Sequence, residues 1–319
     1  MTSSLRSVRL EPRPLPPNVN GAQPGGGWAL RLELVWGWLR RWRLRALRPG
    51  YVARMRSLRR GECAACPHDV IDPRDLKFHE NVCDHWFAAG DDPFAWRGRL
   101  PVARWGWAEL LLCGGGAAAL TLVMLFAFPW AAPLPALAAI FVAAFFRDPP
   151  RTIPAEPGAV VSPADGTVTD VTRLGWLDEF QGPAVRVGIY LTIFNVHVNR
   201  CPETARAVAV CYRPGRFLNA RHPAAGDVNE QFSTLLECEA APHRLLLVKQ
   251  IAGAFASRVV NVVRPGRVLN RGDKLGMIKF GSRTELYLED VAELQVLVRP
   301  GDKVRGGSSV VARYSARHP

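Results

Sequence analysis

The sequence predicts a mainly β protein of the α+β class, in which a compact antiparallel sandwich or barrel-like domain follows an N-terminal helical hairpin in the membrane. Two observations support this prediction. Residues 108–146 contain two long apolar runs with one charged residue near their start, whereas the chain after Pro154 consists of short alternating segments broken by Gly and Pro. We therefore divide the chain into four regions, at residues 1–60, 61–100, 105–147 and 148–319.

The region 148–319 is expected to hold the β domain. Its segments are rich in β-branched and other apolar residues, and no long amphipathic helix is predicted among them. The predicted strands cover residues 167–172, 184–192, 205–212, 245–251, 258–263, 286–291 and 292–298. Antiparallel pairing of such short strands produces a sandwich or a barrel.

The region 105–147 is predicted to be a membrane hairpin. The first apolar run, residues 108–128, has 21 residues, and a helix of that length matches the roughly 30 Å hydrocarbon core of a bilayer. The second run, residues 131–146, is short for a spanning helix. Arg residues flank both ends of the pair, and positive flanks favour the cytoplasmic side. We expect a cell-membrane protein with a cytoplasmic β domain; the alternative is a hairpin buried in a soluble core.

Residues 1–60 carry most of the net charge. They contain thirteen Arg and only Glu11 and Glu33 as acids, so they supply +11 of the formal +13. Residues 1–27, rich in Pro and Gly, are expected to be disordered. Residues 28–47 are expected to form a helix in the membrane interface, where Trp and Arg are both favoured, or else a helix packed on the protein's own body. The expected partner is anionic lipid; nucleic acid is disfavoured because the remaining chain is nearly neutral.

The cysteines suggest a reducing compartment and a metal site. Seven Cys, an odd number in a chain of this length, do not form the disulfide framework of a small secreted domain. Within region 61–100, four residues have the spacing of a structural zinc site: Cys63, Cys66, His79 and Cys83. His68 and His85 are spare candidates for the same role.

Three polar groups stand in the β region where a core strand would not normally place them. Asp165 lies in a turn before Gly, His197 lies among apolar and amide residues, and Gly281-Ser282 interrupts a strand-like stretch. Each has a structural explanation when taken singly. Asp before Gly is common in turns, a lone His is usually a hydrogen-bonded core residue, and a second Gly-Ser pair occurs at residues 307–308.

In combination, these segments resemble the phosphatidylserine decarboxylase family over roughly residues 145–314. The likeness includes four further motifs: Phe145-Phe-Arg-Asp-Pro-Pro-Arg, Gly215-Arg-Phe-Leu-Asn-Ala, the Asn229-Glu230 pair and Phe280-Gly-Ser-Arg-Thr-Glu-Leu-Tyr-Leu. The last motif is similar to the short, archaeal-type branch of the family. The segment around His197 also resembles that branch, since Arg200 stands where longer bacterial members carry a second His.

The resemblance implies a self-cleaving, pyruvoyl-dependent enzyme that converts phosphatidylserine to phosphatidylethanolamine. Ser282 would attack the carbonyl of Gly281, with His197 as base and Asp165 orienting that histidine. Cleavage between Gly281 and Ser282 would leave a pyruvoyl group, made from Ser282, at the start of a 38-residue C-terminal chain. Its ketone would serve as the electron sink for decarboxylation, with His197 also a candidate proton donor.

The resemblance also implies partners. They are phosphatidylserine as substrate and a heterodimer of the two cleaved chains, with further oligomerisation left open. Two alternatives remain: a pyruvoyl decarboxylase of another amine-bearing substrate, and an uncleaved membrane-tethered scaffold. Three residues could bind a lipid phosphate or could equally be surface charges: Arg200, Arg213 and Arg216.

Overall fold

The computed structural model describes residues 9–21, 28–63, 66, 68–222, 224–254, 258–279 and 281–315. Within these residues the chain is mainly β, with most of its helical residues on the N-terminal side of the strands. The mainly β prediction is confirmed. The sandwich or barrel takes a more specific form, an antiparallel sheet curled into a half-barrel.

The helices lie mostly before residue 150. They are α1 Trp28–Leu47, α2 Pro49–Leu58, α3 Trp107–Glu109, α4 Gly115–Ala127, α5 Pro133–Phe145 and the short α6 Ala225–Val228. Together α3 and α4 belong to one apolar helix, Arg104–Ala127, which passes through a π-helical turn at Leu110–Gly114. Short 3-10 segments occur at Leu76–Phe78, Ala95–Arg99 and Pro129–Ala131.

The strands occupy the region that the sequence assigns to the β domain. They are β1 Ala159–Val161, β2 Gly166–Leu177, β3 Gly182–Leu191, β4 Val198–Arg200, β5 Ala205–Arg213, β6 Gln231–Cys238, β7 Leu245–Ala252, β8 Arg258–Asn261, β9 Val268–Leu269, β10 Lys274–Lys279, β11 Ser282–Glu289, β12 Leu294–Val296, β13 Lys303–Val304 and β14 Val310–Tyr314. Each of the seven predicted strands overlaps an observed one. Strand β6 was missed because Gln, Ser, Thr and Glu interrupt its apolar pattern.

The strands form three antiparallel sheets. The large sheet has the order β13-β2-β3-β11-β7-β6-β5-β9, and two small sheets have the orders β1-β14-β12 and β4-β10-β8. Strand β11 is therefore central in the large sheet, between β3 and β7, whereas β10 belongs to a small sheet. The chain passes from one sheet to another between Lys279 and Ser282.

Strand β11 is buried along seven of its eight residues although its sequence is polar. After Ser282, the buried polar side chains of the strand have partners inside the protein. Arg283 lies 2.9 Å from Asp170, and the Thr284 hydroxyl accepts a hydrogen bond of 3.0 Å from Asn199. Pairing of this kind is what permits polar side chains in a core strand, because an unpaired buried polar group would cost about 1–3 kcal/mol.

An aromatic cluster joins the helices to the small sheet that contains β10. Phe145 and Phe146, at the end of α5, are fully buried and pack with Trp105, Val196 and Met277. The C-terminal end of α5 is therefore packed against β10, the strand that leads to the Gly281-Ser282 segment.

Helix α1 has two different faces. Glu33, Arg41 and Leu44 are buried against the protein, at the spacing of one helical face. Trp38 and Trp42 point away from the body and are 59% and 60% exposed. One face of α1 thus packs on the protein's own body, as the first alternative predicts. The other face exposes tryptophans, as expected for a helix in the membrane interface.

Residues 9–21, which the sequence predicts to be disordered, instead lie along the large sheet. The Arg13 amide donates to the Val208 carbonyl at 2.8 Å, the Leu10 amide donates to Glu237, and Val19 is buried. The prediction is therefore wrong for this segment. The rest of the expected disordered stretch, residues 1–8 and 22–27, lies outside the described residues.

After its first turns, the first apolar helix lies outside the protein's own core. The segment Arg104–Ala127 has a mean hydropathy of 2.2 over its best window, and none of that window is buried. The second apolar helix packs beside it, and Phe126 is 91% exposed at the turn between them. A hairpin buried in a soluble core does not fit this exposure. By length and composition the first helix could cross a membrane.

Candidate active site

The site is built around the backbone at Gly281 and Ser282. Ser282 begins β11 and pairs with Leu191 of β3 on one side and Ala252 of β7 on the other. Gly281 has a φ of +62°, a left-handed conformation that glycine adopts at low cost. The fully buried Ser282 Oγ has no hydrogen-bond partner among the described residues. A hydroxyl with its donor and acceptor both free is available for reaction.

The carbonyl of Gly281 is held closely from one side. A Cβ at Gly253 would overlap the Gly281 carbonyl oxygen, so only a glycine fits at residue 253. Asn229 secures the neighbouring end of β7, because its amide donates to the Ala252 carbonyl at 2.7 Å and to the Leu218 carbonyl at 2.8 Å. The motifs at residues 215–220 and 229–230 therefore brace the strand beside Ser282.

His197 is the candidate base. Its backbone carbonyl accepts a hydrogen bond from Ile278 of β10, which ties it to the strand that ends just before Gly281. Its Nδ1 lies 2.9 Å from the carbonyl oxygen of Asn195. Since a carbonyl only accepts, Nδ1 carries the proton and the neutral ring keeps a lone pair on Nε2. The buried Nε2 has no partner in the part of the chain that the structure describes.

The environment of His197 keeps its ring neutral. Burial lowers its pKa from 6.5 to about 4; the hydrogen bond to Asn195 opposes this shift, and the Arg147 charge adds to it. The ring also packs against Phe145 at the end of α5, with ring centroids 4.4 Å apart. A neutral imidazole with a free Nε2 can accept a proton from a hydroxyl near neutral pH.

Asp165 has partners other than His197. Its carboxylate pairs with Arg151 at 3.0 Å and accepts a hydrogen bond from the Gly306 amide at 2.7 Å. The expected role of Asp165 in orienting His197 is not reflected in these contacts, because the Asn195 carbonyl takes that place. Among the described contacts, no hydrogen bond joins the carboxylate to the imidazole.

The three candidate phosphate-binding arginines differ in their surroundings. Arg200 is buried and its guanidinium lies 2.5 Å from Asp148, and it also donates to the Gly272 carbonyl. It is therefore committed to an internal ion pair. Arg213 and Arg216 are exposed, so they are free to meet a charged group at the surface.

The predicted zinc ligands do not all lie together in the structure. Ligand atoms of Cys63, Cys66 and His85 all lie within 4.8 Å of one another, whereas His79 and Cys83 are outside this group. His79 packs instead against His68, with ring centroids 4.3 Å apart. The expected four-residue set is therefore not assembled. Its first two members form a disulfide in this structure.

Backbone pairing explains why His85, and not His79 or Cys83, lies beside Cys63 and Cys66. Arg60 and Trp86 form an antiparallel bridge, and the Asp84 amide donates to the Glu62 carbonyl at 3.0 Å. This pairing brings the start of the Cys-x2-Cys segment beside His85. Linear spacing cannot reveal such a pairing.

Sequence reasoning missed two parts of the site. The Phe145-Phe-Arg-Asp-Pro-Pro-Arg motif was noted without a role, yet Phe145 packs on His197 and Arg151 pairs with Asp165. Lys279, two residues before Gly281, is fully buried in an ion-pair cluster. The motif's position directly after the apolar run was an available signal for the first, but no sequence signal marked the second.

Comparison with known proteins gives one consistent result. A family model described as phosphatidylserine decarboxylase matches residues 138–312. The phosphatidylserine decarboxylase proenzyme of Rhodopirellula baltica is 43% identical over 247 residues, covering 75% of this chain and 99% of that protein. The proenzymes of Carboxydothermus hydrogenoformans and Symbiobacterium thermophilum are 44% and 42% identical, covering 58% and 66% of this chain and 84% and 95% of theirs.

We expect the stability of the folded protein to fall as the pH drops from 6.5 toward 4, and His197→Gln to reduce that dependence. With a folded pKa of about 4 against an ordinary 6.5, the unfolded chain binds the proton more tightly in this window, so acidification favours unfolding. The full difference is on the order of 3 kcal/mol, reached below the folded pKa. Thermal unfolding midpoints across this pH range measure it, with the exposed His222→Gln as matched control. An unchanged slope in His197→Gln would contradict the prediction.

Proposed function

Because this chain belongs to the phosphatidylserine decarboxylase family, we propose that it removes CO2 from phosphatidylserine and yields phosphatidylethanolamine. It does so by means of a pyruvoyl group, which it makes by cutting itself between Gly281 and Ser282. The observation that carries this proposal is the orphaned, buried Ser282 hydroxyl, placed directly after a left-handed Gly281. The names of the relatives, all proenzymes, support cleavage of the chain.

Self-cleavage begins with an acyl shift. The Ser282 hydroxyl gives its proton to Nε2 of His197, and the oxygen attacks the carbonyl carbon of Gly281. The peptide C–N bond breaks, the nitrogen takes a proton, and an ester now joins the two residues. Loss of the Ser282 Cα proton then expels the Gly281 carboxylate and leaves dehydroalanine. Water hydrolyses its tautomer to a ketone with release of ammonia.

The residues present fit a pyruvoyl group at position 282. When formed, the group supplies an electron sink for the carbanion that loss of CO2 generates. Its site is buried between β3 and β7, which limits access of water. His197, neutral with a free Nε2 in the uncleaved chain, passes the hydroxyl proton to the leaving nitrogen as the ester forms, and after cleavage it can carry a proton to the reacting carbon. Asp165 holds the Gly306 amide and pairs with Arg151, and we assign it no hydrogen bond to the histidine.

The two products of cleavage stay together as a heterodimer. Residues 282–319 retain β11, whose eight residues pair with β3, and seven of which pair with β7. Strand β14 of the same product pairs with β1. Because these ladders join the two chains at several places, breaking one peptide bond leaves the fold intact.

The substrate is met at a membrane surface. The exposed apolar helix Arg104–Ala127 and its neighbour α5 form a membrane hairpin, with the β domain on the cytoplasmic side. The exposed tryptophans of α1 and the exposed arginines of α1 and α2 lie against anionic headgroups. A lipid substrate then reaches the site from the leaflet without crossing water. The exposed Arg213 and Arg216 are candidates for its phosphate.

A structural zinc ion would be held by the reduced thiolates of Cys63 and Cys66 together with His85. The His85 Nδ1 lies 3.1 Å from the Gly61 carbonyl, which fixes the tautomer and leaves Nε2 as ligand. The sequence-derived set with His79 and Cys83 remains the alternative. Oxidation to the disulfide removes both sulfur ligands, so the ion requires a reducing compartment.

The first prediction for this function concerns the mass of the purified protein. We expect wild type to consist of two chains, residues 1–281 and 282–319, the smaller with a carbonyl-reactive and sequencing-blocked terminus. Ser282→Ala removes the attacking hydroxyl and should leave one uncut chain. Mass spectrometry after denaturation measures both, and Ser308→Ala, at the second Gly-Ser pair, is the matched control that should still cleave.

Other outcomes would contradict this assignment. An uncut wild-type chain would remove the prosthetic group and favour the scaffold alternative. A cut at Ser308 would keep the chemistry and move the site. If the cleaved enzyme released CO2 from another amine-bearing substrate and not from phosphatidylserine in vesicles, the decarboxylase would stand with a different substrate.

The second prediction concerns the side of the membrane on which the β domain lies. In a variant lacking Cys63, Cys66 and Cys113, Cys211 is the exposed cysteine that remains among the described residues. A membrane-impermeant maleimide should label it in inside-out vesicles but not in intact cells. The additional change Cys211→Ala should abolish the labelling. Labelling in intact cells would place the domain outside.

The third prediction concerns zinc. Protein purified under reducing conditions should contain about one zinc ion per chain, measured by elemental mass spectrometry, and Cys63→Ala should lose it because a thiolate ligand is missing. His85→Ala should also lose zinc while His79→Ala keeps it. The reverse pattern would favour the sequence-derived ligand set. Absence of zinc from reduced wild type would refute both.

A further inference from the structure

A cluster of buried charges lies beside the cleavage segment and outside the catalytic residues. Lys279, the last residue of β10, has a fully buried side chain. A buried ammonium group costs several kcal/mol unless it is paired. Its Nζ lies 3.0 Å from the Glu33 carboxylate of α1 and also contacts the carboxylate of Glu109 in α3. The counter-charges thus come from two helices distant in sequence.

Glu33 also neutralises a second cation. Arg258 of β8 stands directly opposite Lys279 in the antiparallel ladder, where like charges repel. The Arg258 guanidinium lies 3.0 Å from the same Glu33 oxygen, and Lys77 lies 3.2 Å from the other. Burial opposes the ionisation of Glu33, but attraction by Lys279, Lys77 and Arg258 outweighs it and lowers its pKa to about 2. Glu33 therefore stays charged at any physiological pH.

The two strands that Glu33 holds together lead to the scissile bond. Strand β10 ends at Lys279, two residues before Gly281, and β8 begins at Arg258, shortly after Gly253. Gly253 is the residue whose backbone packs against the Gly281 carbonyl. A separation of β8 from β10 would therefore move this carbonyl relative to the Ser282 hydroxyl.

Building on the proposed self-cleavage, we propose that Glu33 is a positioning residue for that reaction. By bridging Lys279 and Arg258, it keeps the Gly281 carbonyl within reach of Ser282. Helix α1 precedes residues 138–312, which the family model matches, so an N-terminal element outside the matched segment controls maturation of the catalytic domain. Self-cleavage then requires α1 to be docked on the β domain.

The test measures the rate of self-cleavage in the full-length chain. The chain is produced by cell-free synthesis in the presence of phospholipid vesicles. Conversion to two chains is followed by gel electrophoresis. Glu33→Gln should slow cleavage by about 10- to 100-fold, the loss expected from misplacing a reacting group by roughly 1 Å. Glu11→Gln, which changes the only other acid among residues 1–60 and is exposed, should cleave like wild type.

A double variant separates positioning from a merely structural role. Adding Lys279→Met to Glu33→Gln removes the cation that faces Arg258, so cleavage should recover relative to Glu33→Gln alone. Unfolding midpoints in a Ser282→Ala background show whether each variant is folded. A wild-type rate in Glu33→Gln, or slow cleavage with no recovery in the double variant, would overturn the proposal. A wild-type chain that stays uncut would instead refute the proposed function itself.

Discussion

The pairing of β11 between β3 and β7 is the constraint on which the rest of the site depends. Both edges of the strand are occupied from its first residue, so the backbone of Ser282 cannot shift. The preceding strand, β10, belongs to a different sheet. The chain must change sheets between Lys279 and Ser282, and the left-handed conformation of Gly281 lies within that crossing. The bond at which we propose cleavage thus lies where two fixed ladders meet, and not in a free loop.

Buried ion pairs give this β domain its precision more than its stability. Lys279 with Glu33 and Arg200 with Asp148 each join segments far apart in the chain. Such pairs add little net stability, since desolvation offsets their attraction, but loss of one partner costs about 3–5 kcal/mol. They therefore penalise any arrangement that separates the partners. The proposed reaction requires a hydroxyl and a carbonyl in near-contact, and this penalty keeps the strands that carry them in place.

The pair of apolar helices contacts the candidate base directly. Phe145, in the last turn of α5, packs on the ring of His197, and Arg147 donates to the Phe194 carbonyl on the adjacent loop. Glu109, near the start of the first apolar helix, contacts Lys279 on the other side of the site. The start of the first apolar helix therefore contacts Lys279 and the end of the second contacts His197, so the position of the helices and the geometry of the candidate site depend on each other.

The sequence by itself determined the mainly β character, the two apolar helices and the break at Gly281-Ser282, because each depends on local periodicity or on a short motif. Only the tertiary structure decided which groups from distant parts of the chain come together. The Asn195 carbonyl is the partner of the His197 ring for which Asp165 was expected. His85 lies beside Cys63 and Cys66 where His79 was expected, and Glu33 meets a lysine 246 residues away. A contact between distant residues leaves no periodic signal in one sequence, because its geometry exists only after the strands have paired and the helices have docked.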